Sequence, residues 1–123
     1  MRDFRKQKVW HKAHHFTLEI YRITKNFPSN EIYGIISQIR RATVSIPNNI
    51  AEGCGRNSEA DLKWFFTISM GSASEVEYLF LLSNDLNYLS KTEYENLNRK
   101  IIEIKKMLSS YIVKLRPKTR LKC

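Results

Sequence analysis

The sequence has few of the residues that interrupt regular structure, with only four glycines and three prolines among 123 residues. It has no apolar run close to the ~20 residues that a membrane-spanning helix requires. The first residues, 1–6, contain no hydrophobic segment of the kind found in signal peptides. These absences predict long regular elements and exclude a transmembrane helix, and we expect a cytoplasmic protein without membrane contact.

Cysteine is also scarce, since Cys54 and Cys123 are the only two. Their spacing fits no zinc-binding pattern, so we expect reduced thiols rather than a disulfide or a metal site. A chain of this length can bury a hydrophobic core without such cross-links. We therefore expect one domain over residues 1–123, with an N-terminal arm at residues 1–8 and a basic tail at residues 116–123.

Apolar residues recur every three or four positions, which is the spacing of one buried helix face. The clearest series is Ile35, Ile39, Ala42, Ile46 and Ile50. Four helices are predicted in this way, at about residues 9–26, 30–52, 58–87 and 90–116. Amphipathic helices with short connections favour an all-α fold, an antiparallel up-down-up-down four-helix bundle.

Residues with known preferences mark the predicted helix ends. Ser58 is expected to cap the third helix, and Ser90 with Glu93 forms a capping-box pattern for the fourth. Gly53 is expected to stop the second helix. Pro47 lies inside the second helix, where it removes a donor, so we expect a kink and an asparagine or arginine side chain donating to the carbonyl oxygen of Thr43.

The third helix has more apolar surface than one buried face can hold. Trp64, Phe65 and Phe66 spread over about 200° of its circumference, and residues 78–82 repeat the pattern. The surplus could be covered by the N-terminal arm or by another subunit, and we favour a homo-oligomer. A charge at Trp64 or Phe80 is then expected to weaken assembly more than a charge change at Glu59.

Small residues occupy the middle of the same helix, at 69 and 71–74. Gly71 costs ~1 kcal/mol relative to alanine in a helix interior, so a close backbone approach would compensate. That approach could lie within one chain or across a subunit contact, and the sequence leaves both open.

The formal net charge is +9, and it is unevenly distributed. Residues 91–123 carry ten basic and three acidic side chains, while residues 59–90 carry one basic and five acidic. Basic chain ends suit contact with a polyphosphate, although terminal charge runs can also be solvated tails. Arg40 and Arg41, in the second helix, could contact phosphate or form structural ion pairs with Glu52, Glu75 or Glu77.

No catalytic constellation is present. Residues 53–55 lack the spacing of a phosphate-binding glycine loop, and we expect neither catalytic residues nor a cofactor. His11 and His15 are spaced to bind a metal from one helix face, but histidines beside lysines also suit an RNA-binding face. We therefore expect no metal.

The segment IRRATVSIPNNIAEGCGR, at residues 39–56, resembles the signature of the 23S ribosomal RNA intervening-sequence proteins, a bacterial family of small four-helix bundles. The resemblance extends to residues 9–13, to Trp64 and Phe65, and to residues 71–75. It implies a ring-like homopentamer without recognised catalytic residues. It also implies nucleic-acid binding, because members are often encoded within ribosomal RNA genes. A related group assists the reverse transcriptases of diversity-generating retroelements.

These observations together predict a non-catalytic, oligomeric accessory protein that binds RNA or DNA mainly through phosphate. The alternative is a protein-interaction scaffold whose basic ring docks an acidic partner such as a reverse transcriptase. Bases could also stack on Tyr33 or Trp10, although we expect both rings to pack within the protein. The candidate nucleic-acid-binding residues are Arg5, Lys6, Lys8, Lys12, Arg40, Arg41, Arg56, Lys114, Arg116, Lys118 and Arg120.

Overall fold

The computed structural model describes residues 2–115, and within them it contains four α-helices and no strand. Short 3-10 turns precede the first and second helices, at Phe4–Lys6 and Ser29–Glu31. The helices are α1, Lys8–Thr24; α2, Ile35–Cys54; α3, Glu59–Asp85; and α4, Lys91–Lys114. The predicted all-α class is confirmed, and none of these helices is long and apolar enough to cross a membrane.

Each helix packs against its neighbours in chain order, and α4 returns to α1. Contacts between opposite helix ends show that neighbours run antiparallel: the Tyr111 hydroxyl of late α4 bonds Gln7 at the start of α1, and Tyr88 after α3 bonds Glu31 before α2. The α2–α3 interface is the most extensive and the α1–α4 interface the least. All four helices contribute fully buried residues to one core, among them Ile20, Ile46, Phe66 and Ile104.

Helix capping follows the expected chemistry at two of the starts. The Ser58 hydroxyl accepts from the Asp61 amide at 3.0 Å. Ser90 and Glu93 form the complete capping box, each side chain accepting from the other residue's amide. Because both caps satisfy amides that would otherwise lack partners, they fix where α3 and α4 begin.

The second helix begins later than the sequence predicts. Ser29–Glu31 forms a separate 3-10 turn, and α2 starts only at Ile35. The break lies at Gly34, whose backbone angles (φ −107°, ψ −116°) are neither helical nor extended. The Glu31 side chain accepts from the Ile35 amide at 3.3 Å, which gives α2 its first capping contact.

Gly53 does not stop α2, contrary to the prediction. The helix continues through Cys54, and Gly55 follows it. A Cβ atom at Gly53 would lie 3.0 Å from Phe65 Cβ and 3.3 Å from the Leu62 carbonyl oxygen. The glycine is therefore used for the close approach of α2 to α3, which the sequence pattern could not distinguish from a helix stop.

Pro47 is buried, and α2 is continuous across it. Within residues 2–115 no side chain donates to the Thr43 carbonyl oxygen, so the predicted bond is not present. An asparagine does donate to the α2 backbone, but from Asn49 to the carbonyl oxygen of Ser45, at 2.8 Å. Ser69 of α3 donates to the next carbonyl oxygen, that of Ile46, at 2.9 Å.

Phe66 and Ala73 lie on the inner face of α3 and are fully buried, whereas Phe65 and Ser72 are partly exposed. Phe80 is also buried, with its ring 5.7 Å from that of Phe16. Because its side chain belongs to the core, Phe80 is not exposed for a subunit contact, and the expected effect of a charge at Phe80 on assembly stays a prediction.

The opposite face of α3 remains open. Trp64 is 62% exposed and Tyr78 58% exposed, and Ile68 lies between them along the helix. A Cβ at Gly71 would meet nothing within 4 Å. The close backbone approach expected at Gly71 is therefore not made by residues 2–115 of the same chain.

Candidate functional site

Several lysines and arginines are held by carboxylates of the same chain. Lys100 pairs with Glu19 at 2.8 Å and Lys105 with Glu77 at 2.7 Å. Lys12, one of the candidate binding residues, pairs with Glu103 at 3.3 Å, with both side chains about half exposed. These pairs reduce the number of cations that face solvent without a counter-charge.

Four other lysines converge on one groove between the start of α1 and the end of α4. None of them pairs with a carboxylate of residues 2–115. The groove has a volume of ≈ 500 Å³. The four are Lys6, Lys8, Lys106 and Lys114.

Two local features shape this lysine groove. Gln7 leaves the helical conformation (φ −92°, ψ 125°) before α1 begins, and its side chain accepts from the Tyr111 hydroxyl of α4. The buried Val9 and the half-buried Met107, next to that bond, form the apolar floor beneath the lysines. Glu103 is the one carboxylate among the lining residues, so the groove has an excess of positive charge.

A second, smaller cavity lies farther along the same α1–α4 interface, with a volume of ≈ 250 Å³. Phe16 and Ile104, both buried, form its floor. Charged and imidazole side chains form its walls. The wall residues are His11, Lys12, His15, Glu19, Lys100 and Glu103. Lys12 and Glu103 are thus close to both the groove and this histidine cleft.

The histidines belong to a run of rings on the first half of α1. His14 stacks on Trp10, with centroids 4.8 Å apart and planes 7° apart. His11 bonds the Arg5 carbonyl oxygen through Nε2 and stacks loosely with His15 at 6.4 Å. No group of three His, Cys, Asp or Glu side chains in residues 2–115 is arranged to hold a metal ion. Trp10 is half-buried and already stacked, so it is not free as a base platform.

Arg40 is engaged inside the protein. Its Nε donates to the Thr24 hydroxyl at 2.9 Å and its Nη2 to the Tyr21 carbonyl oxygen at 3.4 Å. The guanidinium also lies 4.8 Å from the centroid of the Tyr21 ring. From the sequence, the expected structural partners of Arg40 are carboxylates. In the structure its partners are a hydroxyl, a carbonyl oxygen and an aromatic ring, all on α1.

Arg41 is exposed at a polar groove of ≈ 410 Å³ between α2 and α3. Ser45 and Ser72 share a hydrogen bond of 2.7 Å at its base, and Glu75 lies on the opposite wall. Arg41 forms no ion pair within residues 2–115. It lies on a different interface from the lysine groove, so the two neighbouring arginines and the lysines do not form one site.

The remaining candidates are dispersed. Arg5 pairs with Asp3 at 3.4 Å and lies over the Phe4 ring, and Arg56 pairs with Glu52 at 3.1 Å and lies over the Phe65 ring. Arg116, Lys118 and Arg120 lie outside the described residues.

Lys106 and Glu103 were not among the candidates. Lys106 precedes Lys114 by eight residues, just over two helical turns, so their shared face could have been inferred from sequence. The pairing of Glu103 with Lys12 could not, because the two residues lie on different helices.

Two buried or bonded groups have shifted pKa values. Burial raises the pKa of the Cys54 thiol above its ordinary value, and nearby Arg2 opposes this only in part. The hydrogen bond from the Tyr88 hydroxyl to Glu31, 2.8 Å long, raises the pKa of that tyrosine. Neither group lies at the lysine groove, so neither shift indicates catalysis there.

A model of the family described as 23S rRNA-intervening sequence protein matches residues 5–110. A crystal structure from Bacteroides thetaiotaomicron, described as a protein of unknown function from the S23 ribosomal protein family, superposes with a TM-score of 0.80. It is 30% identical in sequence, and the match covers 85% of this chain and 95% of that one. No curated protein matches the chain.

Proposed function

The chain belongs to the 23S rRNA-intervening sequence protein family, and we propose that it is a non-catalytic, oligomeric accessory protein that binds RNA or DNA mainly through phosphate. The observation that carries this proposal is the lysine groove, where Lys6, Lys8, Lys106 and Lys114 face solvent without carboxylate partners in residues 2–115. A net charge of +9 adds a long-range attraction for any polyanion.

The chemistry of the groove favours phosphate over bases as the main target. A lysine ammonium is a compact point charge without the planar fork that arginine uses to read a guanine edge. Contacts of this kind position a nucleic acid and supply affinity with little sequence preference. Arg41 would add a separate cation on the α2–α3 interface, and the tail residues Arg116, Lys118 and Arg120 would add further positive charge to the chain.

The proposal is tested by titrating labelled RNA and DNA, single- and double-stranded, against the protein at low and high salt. Binding is expected at low salt and to weaken steeply with salt, because each phosphate contact releases counterions. Neutralising Lys6, Lys8, Lys106 and Lys114 together should flatten the slope of log affinity against log salt by ~0.7 per lost contact on a single strand. Absence of binding by the wild-type protein at low salt would overturn the proposal.

We further propose that the outer face of α3 forms the subunit contact of a homo-oligomer, and that the oligomer is a pentameric ring. The support is the open apolar face bearing Trp64, Ile68 and Tyr78, together with the unfilled space above Gly71. Light scattering should give about five times the 14.5 kDa of one chain. Trp64→Glu is expected to dissociate the oligomer, whereas Glu59→Lys, on the first turn of the same helix, should leave it intact.

A second candidate function is a scaffold that docks an acidic protein such as a reverse transcriptase. It is favoured by the apolar connection between α1 and α2, where Tyr33 is 95% exposed and Ile32 45% exposed. The ratio of absorbance at 260 and 280 nm after purification at low salt separates the two functions. Co-purifying nucleic acid that is removed at high salt supports the first, and an intact oligomer that binds no nucleic acid supports the scaffold.

A further inference from the structure

The α1–α4 interface is the least extensive of the four, and its two cavities lie one after the other along it. Glu103 lines both of them, and its carboxylate pairs with Lys12 at 3.3 Å. The lysine groove and the histidine cleft are therefore two parts of one surface, joined at this ion pair.

The two parts differ in chemistry. The lysine groove offers four ammonium groups above the apolar Val9 and Met107, which suits a chain of phosphates joined by sugars. The histidine cleft offers the exposed His15 ring above the buried Phe16 and Ile104. Its ≈ 250 Å³ is below the roughly 300–1,000 Å³ of pockets that hold drug-sized ligands, so it suits one flat ring.

This combination of a cationic groove with a stacking ring is how proteins bind single-stranded nucleic acid. A base must leave its stack to reach such a cleft, and a single strand allows this at much lower cost than a duplex does. Imidazole is one of the rings on which unstacked bases pack.

We infer that the α1–α4 interface binds single-stranded RNA or DNA, with phosphates at the lysine groove and one base at the histidine cleft, and that Glu103 limits the affinity by holding Lys12. This inference rests on the proposed nucleic-acid binding. It adds that the ligand is single-stranded, that it binds at the α1–α4 interface, and that removing the Glu103 carboxylate strengthens binding.

The decisive variant is Glu103→Gln, with Glu95→Gln as its matched control. Both change the net charge by the same amount on exposed positions of α4, but Glu95 lines neither cavity. Glu103→Gln should bind a single-stranded oligonucleotide about two- to fivefold more tightly, the range set by the worth of one exposed ion pair. It should also steepen the salt slope by ~0.7, since Lys12 becomes free for a phosphate.

A double-mutant cycle locates the effect on Lys12. Lys12→Gln should change the affinity little in the wild-type background, where Glu103 engages that lysine. In the Glu103→Gln background the same change should remove the gain. Additive effects of the two substitutions would show that Glu103 acts only through net charge, and would overturn this part of the inference.

Base contact is tested with His15→Ala at pH 8. The variant should bind a single-stranded oligonucleotide about fivefold or more weakly, because one stacked base contributes ~1–3 kcal/mol. It should bind inorganic polyphosphate, which has no bases, as the wild type does. Equal loss for both ligands would show that His15 only supports the fold.

The outcomes distinguish this inference from the function on which it rests. If neither strand form binds at low salt, the proposed function fails. If single strands and duplexes bind equally and Glu103→Gln behaves like Glu95→Gln, nucleic-acid binding survives and the placement at the α1–α4 interface is overturned. RNA and DNA versions of the same strand then show whether the sugar matters.

Discussion

The α2–α3 and α1–α4 interfaces are built from different kinds of side chain. Between α2 and α3, Gly53 allows close approach, and short side chains bond across the helices, Ser69 to the Ile46 carbonyl oxygen and Ser45 to Ser72. Between α1 and α4, long side chains form ion pairs near the surface, such as Lys100 with Glu19, and two cavities remain.

This difference predicts that the α2–α3 interface contributes mainly to stability and the α1–α4 interface mainly to binding. Short polar groups that bond to each other or to the facing backbone hold two helices at close range. Long charged groups at a looser interface contribute little to stability, but their charges stay accessible to a polyanion. Substitutions at the first interface should therefore change folding, and those at the second should change binding.

Gly53→Val should have the largest effect, because its side chain would collide with Phe65 and the Leu62 carbonyl oxygen. We expect the free energy of unfolding to fall by about 2–3 kcal/mol, measured by urea denaturation. Gly55→Ala is the control, since its Cβ would be in ordinary contact at 3.5 Å from the Glu52 carbonyl oxygen and its backbone angles suit alanine, and it should raise the free energy of unfolding by about 0.4–1 kcal/mol. A Gly53→Val protein as stable as the wild type would contradict the close approach.

Arg40→Ala tests whether the neighbouring α1–α2 contact is structural too. The variant loses two hydrogen bonds and the stacking on Tyr21, so the free energy of unfolding should fall by about 1–2 kcal/mol. Arg41→Ala should stay within about 0.5 kcal/mol of wild type, as exposed positions do. Equal losses for the two variants would show that Arg41 has a structural role as well.

A direct comparison of the two interfaces pairs Ser69→Ala with Lys100→Ala. Ser69 is fully buried and donates to the Ile46 carbonyl oxygen, so its loss should cost about 1 kcal/mol. Lys100 forms an ion pair with its side chain 42% exposed, and its loss should cost less than about 0.5 kcal/mol. Thermal and urea unfolding both report the difference, and a reversed order would refute the separation drawn above.

The smallest expected effect concerns pH and lies at the end of α2. Burial raises the pKa of the Cys54 thiol above its ordinary value of 9.0. The unfolded protein therefore releases this proton first, and the stability due to the neutral buried thiol is present below pH 9.0 and is lost as pH rises through the folded pKa. Cys54→Ala should flatten the decline of stability above pH 9, measured as the difference from wild type.

The sequence predicted the four helices because their apolar periodicity and caps are local signals. Ser58, Ser90 and Glu93 needed no tertiary information. The inner face of α3 could not be predicted in the same way, since Trp64, Phe65 and Phe66 spread over about 200° of the helix circumference. The packing of Phe66 against Tyr111, with ring centroids 5.0 Å apart, is a tertiary contact that places Phe66 on the inner face.

The candidate site was predicted only in part, for a similar reason. Basic residues near both chain ends were recognisable, and Lys6, Lys8 and Lys114 do meet in one groove. The sequence could not show which cations are neutralised, because Lys12 and Glu103 are on different helices and Arg40 bonds to uncharged groups of α1. Pairing across helices decides which charges remain available.

The open α3 face and the lysine groove lie at separate positions, and in an oligomer this separation would determine which surface stays accessible to a ligand. Since α3 forms helix interfaces with α2 and α4 and meets α1 through core side chains such as Phe80 and Phe16, a ring closed through the outer face of α3 would leave each α1–α4 interface accessible. A short oligonucleotide would then engage one subunit, and a longer one would engage the next at high effective concentration. Affinity should rise stepwise with strand length, and an assembly-deficient Trp64→Glu protein should lose the steps while keeping the first.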